Sequence, residues 1–393
     1  MYLFNPEHDL ALANFSPNYT PPASAALMAA ELALLPVWYS GGEPVVVEGE
    51  QHLLHLEAVH QLLPVTSSLI STSDISKYPN QPIIPWGWNP SLRKRLISCG
   101  VQEERLPSTD ELLLLRNDSD RRHAVRMLRE LQEEEPAFYG ESHHFTSLEE
   151  LLRYLSSIPG DKLLKMPLSG SGKGLVRVLD SITDKQTDWC RRVIREQGGV
   201  VAEPILNRVK DFAMEFYLEE GNVRFAGYSL FRAAVSGAYL GNELLSDARI
   251  GEMLSAYVPA SMLENLRTSL AVKLSAAFPH YTGYAGVDMM ICETEAGYRI
   301  QPCVEINMRM NMGMVARIFH NQFMGEDGEG AFTVDYFKKA GSALLHHHQM
   351  QQERPLRVQQ GIITSGYLPL TPVTDTTRYA AYVIVGNQTS IQS

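Results

Sequence analysis

The sequence predicts an α/β fold of the mixed, α+β kind. Through residue 110, short apolar strands alternate with helical segments, the pattern of a small α/β domain. Beyond it, alternating runs such as Asp211-Phe-Ala-Met-Glu-Phe-Tyr-Leu and Val223-Arg-Phe-Ala-Gly-Tyr-Ser-Leu-Phe, separated by Glu219-Glu-Gly-Asn, read as antiparallel hairpins. A length of 393 residues accommodates two or three domains. We place a front domain at 1–110, a central domain at 111–330 containing a small subdomain at about 146–206, and a C-terminal extension at 331–393.

Composition narrows the class. Apolar residues make up 45% and charged residues 20%, as in ordinary soluble proteins. A formal charge of −11 argues against a general nucleic-acid binder, which would carry a basic face. Cys99, Cys190, Cys292 and Cys303 form no C-x-x-C pair, so neither structural zinc nor a redox pair is expected, and a reducing cytoplasm fits best. The opening residues lack a basic region, and Glu7 and Asp9 spoil a signal peptide. Residues 25–38 are apolar but interrupted by Glu31 and too short to span a membrane. They read as a buried helix.

In the front domain, Tyr2-Leu-Phe and Pro44-Val-Val-Val-Glu48 read as strands, and Ser91 to Ser98 as a helix stopped by Gly100. Asn5-Pro6-Glu7-His8-Asp9 ends the first strand, where open α/β sheets place ligands. His8 or Asp9 could touch substrate there, and a polar turn capping the next helix is the preferred reading. Pro85-Trp86-Gly87-Trp88-Asn89 reads as packing between domains rather than a ligand wall.

The central domain begins with an amphipathic helix opened by an acidic or Ser cap in Asn117-Asp-Ser-Asp120-Arg121-Arg122. Phe138 to Phe145 reads as a strand and turn. Thr146-Ser147-Leu148-Glu149-Glu150 is a capping-box-like start to a helix ending near Ser157. A helix at 184–197 and a strand at 199–206 follow. Residues 261–278 read as a long helix. Past Met314, the stretches at 361–367 and 380–385 read as strands, and His346-His347-His348 sits in a helical stretch that splays its side chains apart.

Two stretches carry chemistry. The first is Gly286-Val-Asp288-Met-Met-Ile-Cys with Tyr298-Arg-Ile-Gln-Pro-Cys-Val-Glu305-Ile-Asn307-Met-Arg309. A turn centred near Ala296 and Gly297 brings Asp288 opposite Glu305, and alternation puts Glu305, Asn307 and Arg309 on one face. Two facing carboxylates repel unless a cation sits between them, and oxygen ligands from Asp, Glu and Asn suit Mg²⁺. The second is Leu163-Leu-Lys165-Met-Pro167-Leu-Ser169-Gly170-Ser171-Gly172-Lys173-Gly174-Leu, a lysine strand entering a glycine-rich turn whose backbone N–H groups can close on phosphate. Pro167 and Gly174 exclude a Walker A loop, and Leu175 with the following strand excludes a dinucleotide fingerprint.

Lys165, the glycine loop, Glu203-Pro204-Ile205-Leu206, Asp288 and Glu305-x-Asn307-x-Arg309, in this order, resemble the ATP-grasp superfamily over roughly residues 105 to 320. The resemblance implies ATP and Mg²⁺, with Mn²⁺ as the alternative ion, and metal ligands Asp288, Glu305 and Asn307. It implies that residues 146–206 form a lid over ATP, and that Lys165 and Ser169, Gly170, Ser171, Gly172, Lys173 and Gly174 hold the phosphates. Arg121 stands where many members have lysine, and arginine can bind phosphate bidentately. Glu203 leads into an adenine hinge made by the C=O of Pro204 and the N–H of Leu206, and Asp211, with Lys210 as competitor, would meet the ribose. Arg309 would stabilise the phosphoryl group in flight, and Arg232 would hold an acceptor carboxylate or that phosphoryl group, a surface arginine being an equal reading. The front domain would help form the acceptor site.

The implied activity joins a small-molecule carboxylate to an amine or another nucleophile through an acyl phosphate, releasing ADP and phosphate, without nucleic acid or membrane and with room for a homodimer. An ATP-grasp kinase or a nucleotide-binding protein without catalysis are the alternatives.

Overall fold

Strand pairing sorts the chain into three sheets in the computed structural model, which describes residues 1–170, 174–234 and 239–386. The front sheet is parallel, ordered Leu69–Ile70, Val45–Val46, Tyr2–Leu3, Ile84–Pro85. Val45 and Val46 are both buried, as a parallel strand covered on two faces requires. Helix Pro90–Ser98 ends as expected, with Gly100 in the left-handed region at φ +83°.

The buried helix expected over 25–38 is not there. A helix at Ala23–Glu31 has no buried residue, and a separate 3₁₀ turn, Leu35–Trp38, is buried throughout. The Glu31 carboxylate is drawn off to accept from the backbone N–H groups of Arg378 (3.0 Å) and Tyr379 (2.7 Å). Pro36 has no N–H with which to continue the helical ladder.

The second sheet is small and antiparallel, ordered His143–Phe145, Val200–Pro204, Lys162–Lys165, Leu175–Val178. Helices Leu148–Ser157, capped by Ser147, and Asp184–Gln197, opened by a reciprocal Thr183–Gln186 capping box, bury its outer face around Leu151, Leu164, Cys190 and Val193. Its other face carries Lys165 and Glu203.

The third sheet has nine strands, ordered Gly297–Asn307, Gly283–Thr294, Arg208–Glu219, Asn222–Ala233, Tyr239–Leu244, Gly330–Tyr336, Tyr379–Val385, Ile362–Pro369, Arg357–Gln359. The strands after residue 330 therefore prolong the sheet that bears the hairpin. Phe212, Met214 and Phe216 pack with helices Arg122–Glu134, Asp247–Ser255 and Ala260–Ala277 on one face. Helix Met312–Phe323 lies on the other, sharing a core with Trp38, Tyr39 and Trp86 of the front domain. Trp86 is thus packing, edge-on to Phe4 and Tyr39. Among the described residues no helix is long and apolar enough to cross a membrane.

Candidate active site

The hairpin Gly283–Thr294 and Gly297–Asn307 sets the site. Asp288 does pair with Glu305, yet the turn lies one residue earlier than expected, since Thr294 pairs with Gly297. A bulge between the Met290–Gln301 and Asp288–Glu305 pairs restores the register. It falls at Pro302, which has no N–H to give a ladder, and the buried Gln301 side chain bridges it by accepting from Cys303 N–H (2.8 Å) and donating to Cys303 C=O (3.1 Å).

Asn307 Nδ2 donates to Asp288 Oδ2 (3.1 Å). Burial, then the nearby Glu305 and Glu215 carboxylates, push the Asp288 carboxyl well above the usual range. Like charges are held together here against desolvation. Among the described residues no group of three or more His, Cys, Asp or Glu is placed to hold a metal. Two carboxylates and an amide oxygen nevertheless fit a hard divalent ion that takes its remaining ligands from phosphate and water.

Among the described residues, Arg121, Lys165 and Arg309 are each already paired. Arg121 caps helix Arg122–Glu134 after a break from helix Thr109–Asp118, with Asp120 accepting from Arg122 N–H (2.8 Å). Its guanidinium donates to Glu305 Oε1, Ser169 Oγ and the Met166 carbonyl, all at 2.6 Å. Arg121 therefore joins the hairpin of residues 283–307 to the glycine loop. Lys165 and Glu203, diagonal neighbours on adjacent strands and both buried, form an ion pair. Arg309 forks onto Asp9 of helix His8–Asn14, with Nε to Oδ1 at 2.7 Å and Nη2 to Oδ2 at 2.8 Å. Burial opposes charge on Asp9, but that guanidinium holds its carboxyl below the ordinary range. His8, Asp9, Ser169, Glu305, Asn307 and Arg309 line one cleft.

Gly174 needs its residue type, having φ +75° and no room for a side chain against Met166 and Ser169. Ser171, Gly172 and Lys173 lie outside the described residues. At the hinge, Ile205 N–H bonds the Asp161 carbonyl (3.0 Å), so antiparallel alternation turns the Pro204 carbonyl away from the lysine strand. The Leu206 carbonyl accepts from Arg208 N–H (2.9 Å). Asp211 pairs with Arg208 (2.8 Å), and Lys210 sits opposite Ile291. Arg232 is partnered by Glu243 (3.5 Å), outside the network that joins Arg121, Glu305, Asn307 and Arg309.

Glu215 escapes the sequence reading. It stands on Arg208–Glu219 opposite Gly286, buried, with Asn311 Nδ2 donating to it (2.8 Å) and Gly313 above it. Burial pushes its carboxyl up to about 7. The available signal was a glutamate inside the largely apolar run 212–218, on the same face as Asp211.

No protein-family model and no curated protein matches the sequence. Solved structures similar in chain path include N5-carboxyaminoimidazole synthetase from Staphylococcus aureus complexed with ADP (TM-score 0.48, 13% identity, 88% of this chain and 94% of that chain). Biotin carboxylase from Campylobacter jejuni (0.47, 14%, 91% and 85%) and L-amino acid ligase from Bacillus licheniformis (0.43, 12%, 87% and 92%) are others. These neighbours are ATP-grasp enzymes.

Proposed function

We propose that this protein is an ATP-grasp ligase that transfers the γ-phosphoryl group of ATP to a small-molecule carboxylate and passes the acyl group to an amine. The observation that carries this reading is Asp288 facing Glu305 across the hairpin, with Asn307 beside them and Arg121 tying Glu305 to the glycine loop. Asp288, Glu305 and Asn307 would hold Mg²⁺, which supplies neutralisation of phosphate charge.

Arg121 and Lys165 bind the α- and β-phosphates, and Ser169, Gly170 and Gly174 close the loop around them. Pro204 and Leu206 hold the adenine through backbone atoms, and Asp211 takes the ribose. Arg309 meets the charge that builds on the phosphoryl group as a substrate carboxylate oxygen attacks phosphorus and ADP leaves. The amine then attacks the acyl carbon, and phosphate departs with the bonding electrons while the amine loses a proton. Positioning and electrostatics suffice.

Thermal unfolding with ATP, GTP and ADP, with and without Mg²⁺, tests the nucleotide site. The expected result is a rise in Tm that favours ATP and needs Mg²⁺. ADP and free phosphate released together, only when a carboxylate and an amine are both supplied, would establish ligation. A phosphorylated acceptor without free phosphate would replace it with a kinase.

A further inference from the structure

Arg309, like Arg121, donates four hydrogen bonds to described residues. Besides the two bonds to Asp9, Nη2 reaches Asn307 Oδ1 (3.3 Å) and Nη1 the Met310 carbonyl (3.2 Å). A guanidinium has five N–H groups, so described residues take four and one on Nη1 remains. The attraction of Glu305 and Asp288 also acts on Arg309. Without a competing anion, the guanidinium would be drawn back onto the carboxylates needed by the metal. The two-pronged hold of Asp9, from a helix 300 residues earlier in the chain, keeps it off them.

Asp9 has a second neighbour. A Cβ placed on Gly170 would collide with Asp9 Oδ2, and Gly170 does not have the left-handed backbone that would by itself call for glycine. Glycine is needed there because the loop backbone runs directly against the aspartate.

We propose that Asp9 is a positioning residue, which fixes Arg309 so that its remaining N–H is available to the transferred phosphoryl group and which, through Gly170, ties that orientation to the glycine loop. This rests on the nucleotide-site reading above. Asp9 touches neither nucleotide nor metal in this arrangement; it acts through the arginine.

The test is calorimetric titration of the full chain with Mg·ADP and with Mg·AMP-PNP, whose extra phosphoryl group probes Arg309. In Asp9→Asn and Asp9→Ala, Mg·ADP affinity should stay within about twofold of wild type while Mg·AMP-PNP weakens by about tenfold. Gly170→Ala should also weaken Mg·AMP-PNP, and should add less in the Asp9→Ala background, because the carboxylate its methyl displaces is gone and only the Cβ of residue 9 remains close. An unchanged preference between the nucleotides, or tighter Mg·AMP-PNP binding in Asp9→Asn, would overturn the proposal, the latter by making Asp9 a competitor for the arginine. Equal losses for both nucleotides would reduce Asp9 to a structural contact and overturn it as well. A wild-type protein that binds no Mg·ADP would bring down the nucleotide site and this proposal together.

Discussion

The two ends of the nine-stranded sheet share one antiparallel ladder and use their inward faces in opposite ways. At the hairpin end that face carries Asp211, Glu215, Asp288, Glu305 and Asn307, with Asp288 and Glu305 set opposite each other. At the far end Phe332, Leu368, Ala381 and Val383 are buried with Trp38, Phe319 and Phe323. One end accepts electrostatic conflict that a ligand can relieve. The other supplies the apolar packing that lets the sheet tolerate it.

The widest separation of the two ends should come from Trp38→Ala. Trp38 is fully buried, donates to the Leu370 carbonyl (2.7 Å) and packs on Phe319 and Phe323. Chemical denaturation should show a loss of about 3–5 kcal/mol, while the protein that remains folded binds Mg·ADP as before. Asp288→Asn is the reverse experiment. It should abolish the Mg²⁺-dependent rise in Tm and cut turnover by a factor of roughly 100 or more, yet raise the melting temperature of the ligand-free protein, because a buried charge in conflict with Glu305 is gone.

The pH response should draw on both ends. His8, beside the site, and His55, beside Pro369 at the far end, are each pushed down to about 4 by burial. Both stay neutral in the folded state at pH values where the unfolded chain takes up protons. Their contribution is therefore complete above about pH 6.5 and is lost as pH falls toward 4, on the order of 2–3 kcal/mol for each. Melting curves across that range should flatten in part with His8→Asn and in part with His55→Asn. The smallest effect expected is at Asp211→Asn, which should weaken Mg·ADP by about fivefold in titration, the size of one hydrogen bond, with stability little changed.

How much was legible follows the distance over which each feature is decided. The pairing of Asp288 with Glu305, the cap of Ser147 and the stop at Gly100 depend on a few neighbouring residues, and the sequence displays them. The bulge at Pro302 was hidden because it compensates a turn shifted by one residue, so that the expected pair arrived by a different path. Residues 25–38 misled because their apolar character reports burial, while Pro36 and the reach of Glu31 to Arg378 and Tyr379 decide the geometry. Asp9 as the partner of Arg309 had no local signal. Its weight comes from a contact between elements 300 residues apart in the chain.

The pairs Lys165–Glu203, Arg121–Glu305 and Arg309–Asp9 give each of these three described cations a resident carboxylate. Sulfate or free phosphate must displace a resident carboxylate from any of these cations and gains little by doing so. On the proposed reading, a nucleotide that arrives with its own divalent ion would give Glu305 a new partner and release Arg121 in the same exchange. On the same reading, the cleft would discriminate by charge pairing, before shape is tested, between a bare anion and a metal–nucleotide complex.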